Sequence, residues 1–437
     1  MSAKSFHSSP AEAIAAPPEE FLYLACLHTG TGVDKPDFLA VIDAENGTIV
    51  HETPMPHVGD ELHHFGWNRC SSACHGPDRS HLVIPGFRSS RIYVVDVATD
   101  PRRPRIEKVV EADELVAKTG YTRPHTVHCM PGENVVVSML GDSDGGGGGG
   151  FAVLDAKTFE VKGRWENGGP KPSLNYDFWY QPRRNVLVSS EFGEPNAYEE
   201  GFDPADVAAG RYGRHIHFWN LEERRLEQSV DLGDAGLVPL EVRWLHDPDA
   251  ESGFVGAALS STIFHFLRDD GGWQAEQVIG IDGVEQEGWP FPVPALITDL
   301  VLSMDDRFLY LSNWLHGDLR QYDVSDPRRP RLTGQLQLGG VLGRPLDGNR
   351  ELNGGPQMLQ LSFDGRRLYV TNSLYSTWDN QFYPELRSWL LRVNCGPDGG
   401  MELDEDFFVD FHDRADGPAR AHEVRLQGGD CTTEIFQ

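Results

Sequence analysis

The chain is short of positive charge. Its 437 residues include 67 Asp and Glu against 38 Lys and Arg, which gives a formal charge of −29. Proteins that bind nucleic acids present a basic face, so this balance argues against a nucleic-acid partner. The acidic residues are spread along the chain and do not form a tail, which is typical of a soluble surface.

Long apolar runs and cysteines are also scarce. No run approaches the roughly 18 residues of a membrane-spanning helix, so no membrane span is predicted. The opening MSAKSFHSSPAEAIAAPPEE lacks the apolar core of a secretory signal. Residues 1–19 are interpreted as a flexible leader and the protein is expected to be cytoplasmic, although a periplasmic chain trimmed of its signal would look the same. Six cysteines are too few for a disulfide scaffold, and mostly reduced thiols are expected.

Strand patterns dominate the rest of the chain, and they fall into four recurring types. One type ends in Asp or a relative and occurs seven times, as FLAVIDA, RIYVVDV, FAVLDA, HIHFWNL, TIFHFLR, LRQYDVS and WLLRVNC. A second apolar run precedes each copy, a third follows it, and a fourth precedes the second in six units. Four strands repeated seven times predict an all-β, seven-bladed β-propeller.

The two ends of the chain complement each other in this scheme. The N-terminal unit lacks its first strand, and ARAHEVRL near the C-terminus is a lone strand of that type. We therefore predict that the C-terminal strand joins the N-terminal blade and closes the ring, so that residues 20–437 form a single domain. A β-sandwich, the simpler alternative, predicts neither seven equivalent units nor complementary ends.

The repeat predicts where the histidines lie. The first strand of each blade is innermost, and its start opens on the same end of the ring as the loop between strands two and three. Imidazoles gathered from several blades are typical of sites for copper, zinc or iron, and nearby carboxylates can bind the metal or orient the rings. The residues predicted at this end are His63, His64, His125, His316, His422, Glu241 and Asp299.

His128 is less certain as a ligand. It lies three residues after His125, so strand alternation points it away unless the strand begins later. For any one of these histidines, a hydrogen-bonded structural role is the alternative; the metal hypothesis depends on the set.

Two further features lie near the predicted histidine end. Cys70 is placed near the start of its strand, where it is a candidate ligand, redox thiol or nucleophile, or else a small buried residue. Cys74 and His75 follow it. Three long loops between strands two and three carry aromatic residues that can form an apolar vestibule for a small substrate, namely Tyr198, Tyr212, Tyr375, Trp378, Phe382 and Tyr383.

Several long stretches resemble the selenium-binding protein family, which includes the methanethiol oxidases. They include DELHHFGWNRCSSAC, YDFWYQPRRNV, DRFLYLSNWLHGDLRQYDVSDPRRPRLTGQ and AHEVRLQGGDCTTEIF. The resemblance runs from about residue 20 to the end of the chain. It implies a seven-bladed propeller and a copper-dependent oxidation of methanethiol by O2 to formaldehyde, hydrogen sulfide and hydrogen peroxide.

The resemblance also implies roles for individual residues. The histidines that match the family's motifs are His63, His64, His125, His128, His316 and His422. The family's selenium-associated cysteine matches Cys70, whereas an extra alanine before Cys74 departs from the pattern. In an oxidase, Glu241 and Asp299 are the candidates for proton transfer, with Cys70 as a further catalytic candidate.

Two other functions compete with the oxidase. In the first, the protein is a non-enzymatic carrier whose Cys70 captures selenium species, with the propeller as an interaction scaffold. In the second, it is a lactonase or esterase that uses calcium, which the many histidines disfavour. The resemblance indicates copper, whereas the imidazoles by themselves suit zinc or iron equally well.

Overall fold

Seven four-stranded antiparallel sheets make up the protein. The structure, a computed structural model, describes residues 7–72, 74 and 78–437. The prediction of an all-β, seven-bladed propeller is confirmed. His75, noted beside Cys74 in the sequence, lies outside the described residues.

Each blade contributes an inner strand and three further strands towards the rim. The inner strands are β4 (Gly66–Trp67), β8 (Tyr121–Met130), β12 (Phe178–Gln181), β16 (Pro239–Trp244), β20 (Ile297–Leu302), β24 (Leu359–Leu361) and β28 (Arg420–Leu426). The second strands are β1 (Phe21–Leu27), β5 (His81–Gly86), β9 (Asn134–Asp142), β13 (Val186–Ser190), β17 (Ser252–Ala257), β21 (Phe308–Asn313) and β25 (Arg367–Thr371). The third strands are β2 (Phe38–Asp43), β6 (Arg91–Asp96), β10 (Gly150–Asp155), β14 (His215–Asn220), β18 (Thr262–Asp269), β22 (Asp318–Asp323) and β26 (Trp389–Cys395). The outer strands are β3 (Ile49–Pro54), β7 (Arg105–Val110), β11 (Val161–Arg164), β15 (Arg225–Asp231), β19 (Gly272–Gly280), β23 (Arg331–Gln337) and β27 (Met401–Asp410).

Burial along the strands follows their position in the blade. Residues of β16, β20 and β28 are buried throughout, whereas β15 alternates between exposed and half-buried residues. A strand between two neighbouring blades is covered on both faces and must be continuously apolar or carry satisfied polar groups. An outer strand has one wet face and keeps the period-two pattern.

The C-terminal strand closes the ring as predicted. β28 pairs antiparallel with β1, with Leu22 opposite Leu426 and Leu24 opposite Val424. The blade β28-β1-β2-β3 therefore joins the two ends of the chain, and neither the first nor the last blade leaves an open inner edge.

Helices are few and short. They are α1 (Pro10–Ile14), α2 (Ala112–Thr119), α3 (Pro195–Tyr198), α4 (Pro204–Ala208) and α5 (Ser376–Phe382), with 3₁₀ turns at Pro182–Arg184 and Asp234–Gly236. Helices α3, α4 and α5 lie in the long loops between second and third strands. Within the described part of the chain, none of the helices has the length and apolarity needed to cross a membrane.

The segment predicted as a flexible leader makes specific contacts. Ser9 caps α1 through its side chain, and Ala13 is fully buried against the blade β24–β27. Glu19 forms an ion pair with Arg367 of β25 at 2.8 Å. Residues 7–19 thus pack on the ring, and the domain boundary at residue 20 stays a prediction.

All inner strands run in the same direction along the central channel. The upper end, as we call it, contains the starts of the inner strands and the loops between second and third strands. The lower end contains the ends of the inner strands and the C-terminal segment 430–437. Functional side chains can therefore be assigned to one end or the other from their place along an inner strand.

Candidate metal centre

Four histidine rings meet at the upper end of the channel. His63 and His64 immediately precede β4, His125 lies in β8 and His422 lies in β28. The ring centroids of His63 and His422 are 3.8 Å apart, those of His64 and His125 are 4.0 Å apart, and those of His63 and His125 are 5.0 Å apart. One nitrogen from each of His63, His64 and His422 lies within 4.8 Å of the others.

Local backbone features bring two of these strands close enough for their rings to touch. The pairing of β8 with β9 shifts between Pro124 and Val127, so a bulge re-aims the chain at His125. Gly66 follows the histidine pair, and a Cβ at this position would come 2.4 Å from the carbonyl oxygen of Val127. Only glycine permits this approach of β4 to β8.

Each of the four rings keeps one nitrogen without a hydrogen-bond partner. The unpaired atoms are Nδ1 of His63 and Nε2 of His64, His125 and His422, and all are buried. Nδ1 of His422 lies 2.8 Å from the carbonyl oxygen of Ser373, and Nδ1 of His125 lies 3.0 Å from Oγ1 of Thr126. Buried polar atoms are normally paired, so four orphaned imidazole nitrogens on rings that pack against one another fit a bound metal ion. His63, His64 and His422 bring their ligand atoms together, and the His125 ring packs against His63 and His64.

Burial also keeps the rings in the form that binds metal. It lowers the pKa of His63, His64 and His125 well below the ordinary value and that of His422 to about 4. Neighbouring rings lower the pKa of the first three further. The four imidazoles are therefore neutral at physiological pH, as ligation requires.

Two predicted ligands do not join this cluster. Nδ1 of His128 lies 3.6 Å from Sγ of Cys70, and its ring packs on Phe178 and Trp179. Nε2 of His316 lies 2.9 Å from the carbonyl oxygen of Val293. His128 is absent from the cluster because it lies further along β8, towards the lower end. His316 is absent because it lies in the turn between β21 and β22, where its ring contacts the segment around Val293.

The two predicted carboxylates lie below the rings and share one arginine. Oε1 of Glu241 is 3.7 Å from Nε2 of His64 and has no hydrogen-bond partner. Arg243 binds Oε2 of Glu241 at 2.8 Å and Oδ2 of Asp177 at 2.8 Å, and approaches Asp299 at 3.4 Å. Asp299 accepts two backbone N–H bonds at 2.7 Å from Leu300 and Leu359, so its oxygens are occupied.

Burial raises the pKa of both carboxyl groups. That of Glu241 rises well above its ordinary value, with Asp177 adding to the effect and Arg243 opposing it. The pKa of Asp299 rises to about 7, against the effect of Arg243. Glu241 is therefore the proton-holding group nearest the histidines, whereas Asp299 reaches them only through Arg243 and Glu241.

Sequence reasoning did not identify Arg243 or Asp177. Arg243 is two residues after Glu241 in β16, so strand alternation places both on the same face. The signal was thus present in LEVRW, but Asp177 precedes a different inner strand and only the ring brings it to this arginine.

An apolar cavity adjoins the histidine cluster. It has a volume of about 40 Å³ and is lined by His63, His125, Phe87, Tyr176, Tyr198, Tyr375 and Trp378, among others. Since one water molecule needs roughly 10–15 Å³ of such volume, the cavity admits a molecule of only a few heavy atoms. The long loops thus provide three of the six aromatic residues proposed for a vestibule: Tyr198, Tyr375 and Trp378.

A second apolar cavity continues outward from the first. It has a volume of about 230 Å³, and both cavities are lined by Phe202, Leu259, Leu296 and Trp378. Phe382, Trp289 and Phe291 line the outer cavity. Phe202 and Trp378 thus lie at the boundary between the outer cavity and the cavity beside the rings.

The predicted position of Cys70 at the histidine end is wrong. The inner strand of its blade is β4, which ends at Trp67, and Cys70 follows it at the lower end. Its backbone carbonyl accepts a hydrogen bond at 2.8 Å from the N–H of Ile435 in the C-terminal segment. The turn that follows predicts a strand starting near Cys70, whereas the paired residues of this strand are Gly66 and Trp67.

The fold and the four rings define the chain as a seven-bladed propeller with a buried candidate metal centre at one end of its channel. The profile of the 56 kDa selenium-binding protein (SBP56) family matches residues 2–437. The chain belongs to this family, which confirms the resemblance seen in its motifs.

Characterised relatives and a solved structure agree with this assignment. The chain is 50% identical to proteins of Xenopus laevis and Homo sapiens, both named methanethiol oxidase, over 98% of either partner. It superposes on the X-ray structure of a hypothetical selenium-binding protein from Sulfolobus tokodaii with a TM-score of 0.94, at 46% identity and 99% coverage of both chains. A periplasmic gluconolactonase of Pseudomonas aeruginosa, at 13% identity and a TM-score of 0.59, shares the fold alone.

Proposed function

We propose that this protein is a copper-dependent methanethiol oxidase. In the balanced reaction, methanethiol, O2 and water give formaldehyde, hydrogen sulfide and hydrogen peroxide. The observation that carries the proposal is the set of four buried imidazoles with unpaired nitrogens beside an apolar cavity. Relatives named methanethiol oxidase, half identical over nearly the whole chain, support the choice of reaction.

His63, His64, His125 and His422 would hold the metal. Copper suits neutral imidazole ligands, and when bound it would supply the one-electron redox chemistry that links a thiol to O2. The Ser373 carbonyl and the Thr126 hydroxyl orient the His422 and His125 rings through their Nδ1 atoms. We leave His128 and His316 out of the proposed ligand set because neither ring faces the cluster.

The cavity selects and shields the substrate. Methanethiol has one carbon and one sulfur, a size that the cavity of about 40 Å³ accommodates. Its lining is almost wholly apolar, so it favours a neutral thiol over water and keeps water from the reacting atoms. The outer cavity between Phe202 and Trp289 provides the path of entry.

Glu241 would move the protons of the reaction. Its Oε1 atom has no hydrogen-bond partner and faces Nε2 of His64, while Arg243 fixes its other oxygen. Burial raises the pKa of Glu241 well above its ordinary value, which favours the form that holds a proton beside His64. Asp299 and Asp177 position Arg243, and through it Glu241.

The test is turnover and metal content measured on the same samples. Protein loaded with copper should release sulfide and peroxide from methanethiol in equal amounts, and electron paramagnetic resonance should show Cu(II) with nitrogen ligands. His64→Ala should lose both copper and turnover. The matched control is His265→Gln, because His265 is also buried with unpaired ring nitrogens but lies in β18, away from the channel. Full copper content and rate in His64→Ala would refute the proposed site.

The second candidate function is the selenium carrier. The family name favours it, and Cys70 is its predicted attachment point. Burial raises the pKa of Cys70 to about 12 and leaves it 2% exposed, so it is a poor nucleophile towards molecules in solution. Selenium retention that is lost in Cys70→Ser, in a protein without oxidase turnover, would favour the carrier.

A further inference from the structure

Three cysteines converge at the lower end of the channel. Cys74 and Cys129 form a disulfide across 55 residues of chain, and Cys70 lies directly beside Cys129 as a free thiol. We call Cys70, Cys74, Cys129, His128 and Tyr180 the thiol cluster. It contributes nothing to the proposed oxidase site, and the sequence prediction of mostly reduced thiols did not include this disulfide.

Cys70 and Cys129 hold each other's sulfur through backbone hydrogen bonds. The N–H of Cys70 donates to Sγ of Cys129 at 3.1 Å, and the N–H of Cys129 donates to Sγ of Cys70 at 3.1 Å. Hydrogen bonds to sulfur favour its charged form. The bond from the Cys129 N–H thus opposes the burial that raises the pKa of Cys70, and the pair of bonds keeps the two side chains adjacent.

Proton-transfer partners flank the three sulfur atoms. Nδ1 of His128 lies 3.6 Å from Sγ of Cys70. Burial lowers the pKa of His128, so the ring is neutral and is a weak base placed beside the thiol. The hydroxyl of Tyr180 lies 3.5 Å from Sγ of Cys74 and 4.0 Å from Sγ of Cys129. Burial raises the pKa of Tyr180, which therefore remains protonated and can donate to a departing sulfur.

We propose that Cys70, Cys74 and Cys129 form a thiol–disulfide exchange site. The Cys70 sulfur attacks Sγ of Cys129, so that a Cys70–Cys129 bond forms as the Cys74–Cys129 bond breaks. The Cys70 proton passes to His128 as the new bond forms, and Cys74 leaves as a thiolate that accepts a hydrogen bond from Tyr180. His128 then gives up its proton and Cys74 takes one up, so no proton is gained or lost overall. One disulfide and one thiol are present before and after, so the step needs no external oxidant or reductant.

The exchange is coupled by position to the segment that closes the lower end. The Ile435 N–H donates to the carbonyl of Cys70 at 2.8 Å, and the Ser71 hydroxyl donates to the carbonyl of Ile435 at 2.8 Å. Cys70 and Ser71 therefore hold the C-terminal segment through Ile435. The exchange moves the covalent link of β8 from Cys74 to Cys70, the residue that contacts this segment.

The experiment is disulfide mapping of the full-length protein. Protein reduced and then reoxidised with glutathione disulfide is quenched at low pH, alkylated and digested, and fragment spectra assign each linkage. Cys70 and Cys74 lie in one tryptic peptide, so fragmentation between them is essential. We expect both the Cys74–Cys129 and the Cys70–Cys129 linkages in the wild type.

Variants make the outcome decisive. In Cys74→Ser we expect the Cys70–Cys129 disulfide in most molecules, and in Cys70→Ser only Cys74–Cys129. The control Cys395→Ser, a buried cysteine in β26, should leave the wild-type distribution unchanged. His128→Gln should slow the appearance of Cys70–Cys129 about tenfold at pH 7 and less at pH 9, where hydroxide removes the proton.

One result would overturn the proposal. If Cys70 is alkylated in all molecules of the wild type and of a folded Cys74→Ser protein after reoxidation, Cys70 does not exchange. Should Cys74→Ser fail to fold, the wild-type mapping alone decides the matter, because absence of any Cys70–Cys129 linkage contradicts the exchange.

Discussion

The two ends of the central channel are built from the same inner strands but differ in chemistry. At the upper end, neutral imidazoles from three blades lie beside an apolar cavity enclosed by long aromatic loops. At the lower end, sulfur atoms from two of the same blades lie under the C-terminal segment. β8 contributes to both ends, with His125 above and Cys129 below.

The comparison shows how a propeller separates two reactive sites. Each inner strand presents its start to one end and its finish to the other, so a few residues along β8 change the environment completely. Between the ends lies a layer of buried charges centred on Arg243, which is paired with Asp177, Glu241 and Asp299. This buried layer of ion pairs lies between the histidine rings and the thiols, although Oε1 of Glu241 in it has no hydrogen-bond partner.

The largest expected effect separates the two ends directly. His125→Ala should reduce turnover of methanethiol by more than about 100-fold, the upper figure for losing a residue that merely orients a metal ligand. Cys74→Ser at the lower end should change turnover less than about twofold, since Cys74 contacts Cys129 and Tyr180 and is not part of the histidine cluster. Rates and copper content of both variants provide the measurement; equal losses in the two variants would contradict the separation.

Acid should destabilise the upper end of the metal-free protein. The pKa of His422 is about 4 in the folded protein against 6.5 in the unfolded chain. Between these pH values the unfolded chain takes up a proton that the folded ring refuses, so stability is lost as pH falls from 6.5 to 4. The loss due to His422 is about 3 kcal/mol.

Denaturant unfolding between pH 7 and pH 4 measures the stability that is lost when His422 resists protonation. The free energy of unfolding of wild-type apoprotein should fall by about 3 kcal/mol more than that of His422→Gln. If the free energy of unfolding falls equally with pH in the wild type and in His422→Gln, the His422 ring does not resist protonation.

Replacing the carboxyl group of Glu241 should slow the reaction without loss of the bound metal. Glu241→Gln keeps the shape of the side chain and should lower kcat roughly 100-fold, a typical effect for a proton-transfer group. Asp299→Asn should have a smaller effect, since it acts only through Arg243. The pH–rate profiles are the diagnostic measurement: the Glu241→Gln profile should lose one ionisation, and an unchanged profile would exclude Glu241 from proton transfer.

The smallest expected effect concerns substrate size. Trp378→Leu widens the passage between the inner and outer cavities and should raise the ratio of kcat/KM for ethanethiol over methanethiol about tenfold, within the range for one methylene. Trp165→Leu, a similarly buried tryptophan in another cluster, should leave the ratio unchanged. An unaltered ratio in Trp378→Leu would mean that the passage does not select by size.

Much of the architecture was predictable because it depends on local patterns. Apolar runs separated by turns define the strands, and the type of the lone C-terminal strand predicts its pairing with β1. The same regularity placed His63, His64, His125 and His422 at one end, because each precedes or lies in an inner strand.

The errors have equally local causes. β4 has only two paired residues, too few to fix its bounds from sequence, and Cys70 was therefore placed at the wrong end. His316 matches a family motif, but its position in a turn leaves the direction of its ring to the neighbouring segment around Val293.

The sequence by itself determined the number of blades, the closure of the ring and the family, since strand periodicity and long motifs are properties of the chain read in order. Only the tertiary structure decided which histidines share a space, that Arg243 joins three carboxylates, and that Cys74 bonds Cys129. The physical reason is that, apart from the Glu241–Arg243 pair within β16, the decisive contacts join residues from different blades. Their distances depend on the rotation of each blade about the channel and on bulges such as that at His125, and no local pattern encodes either.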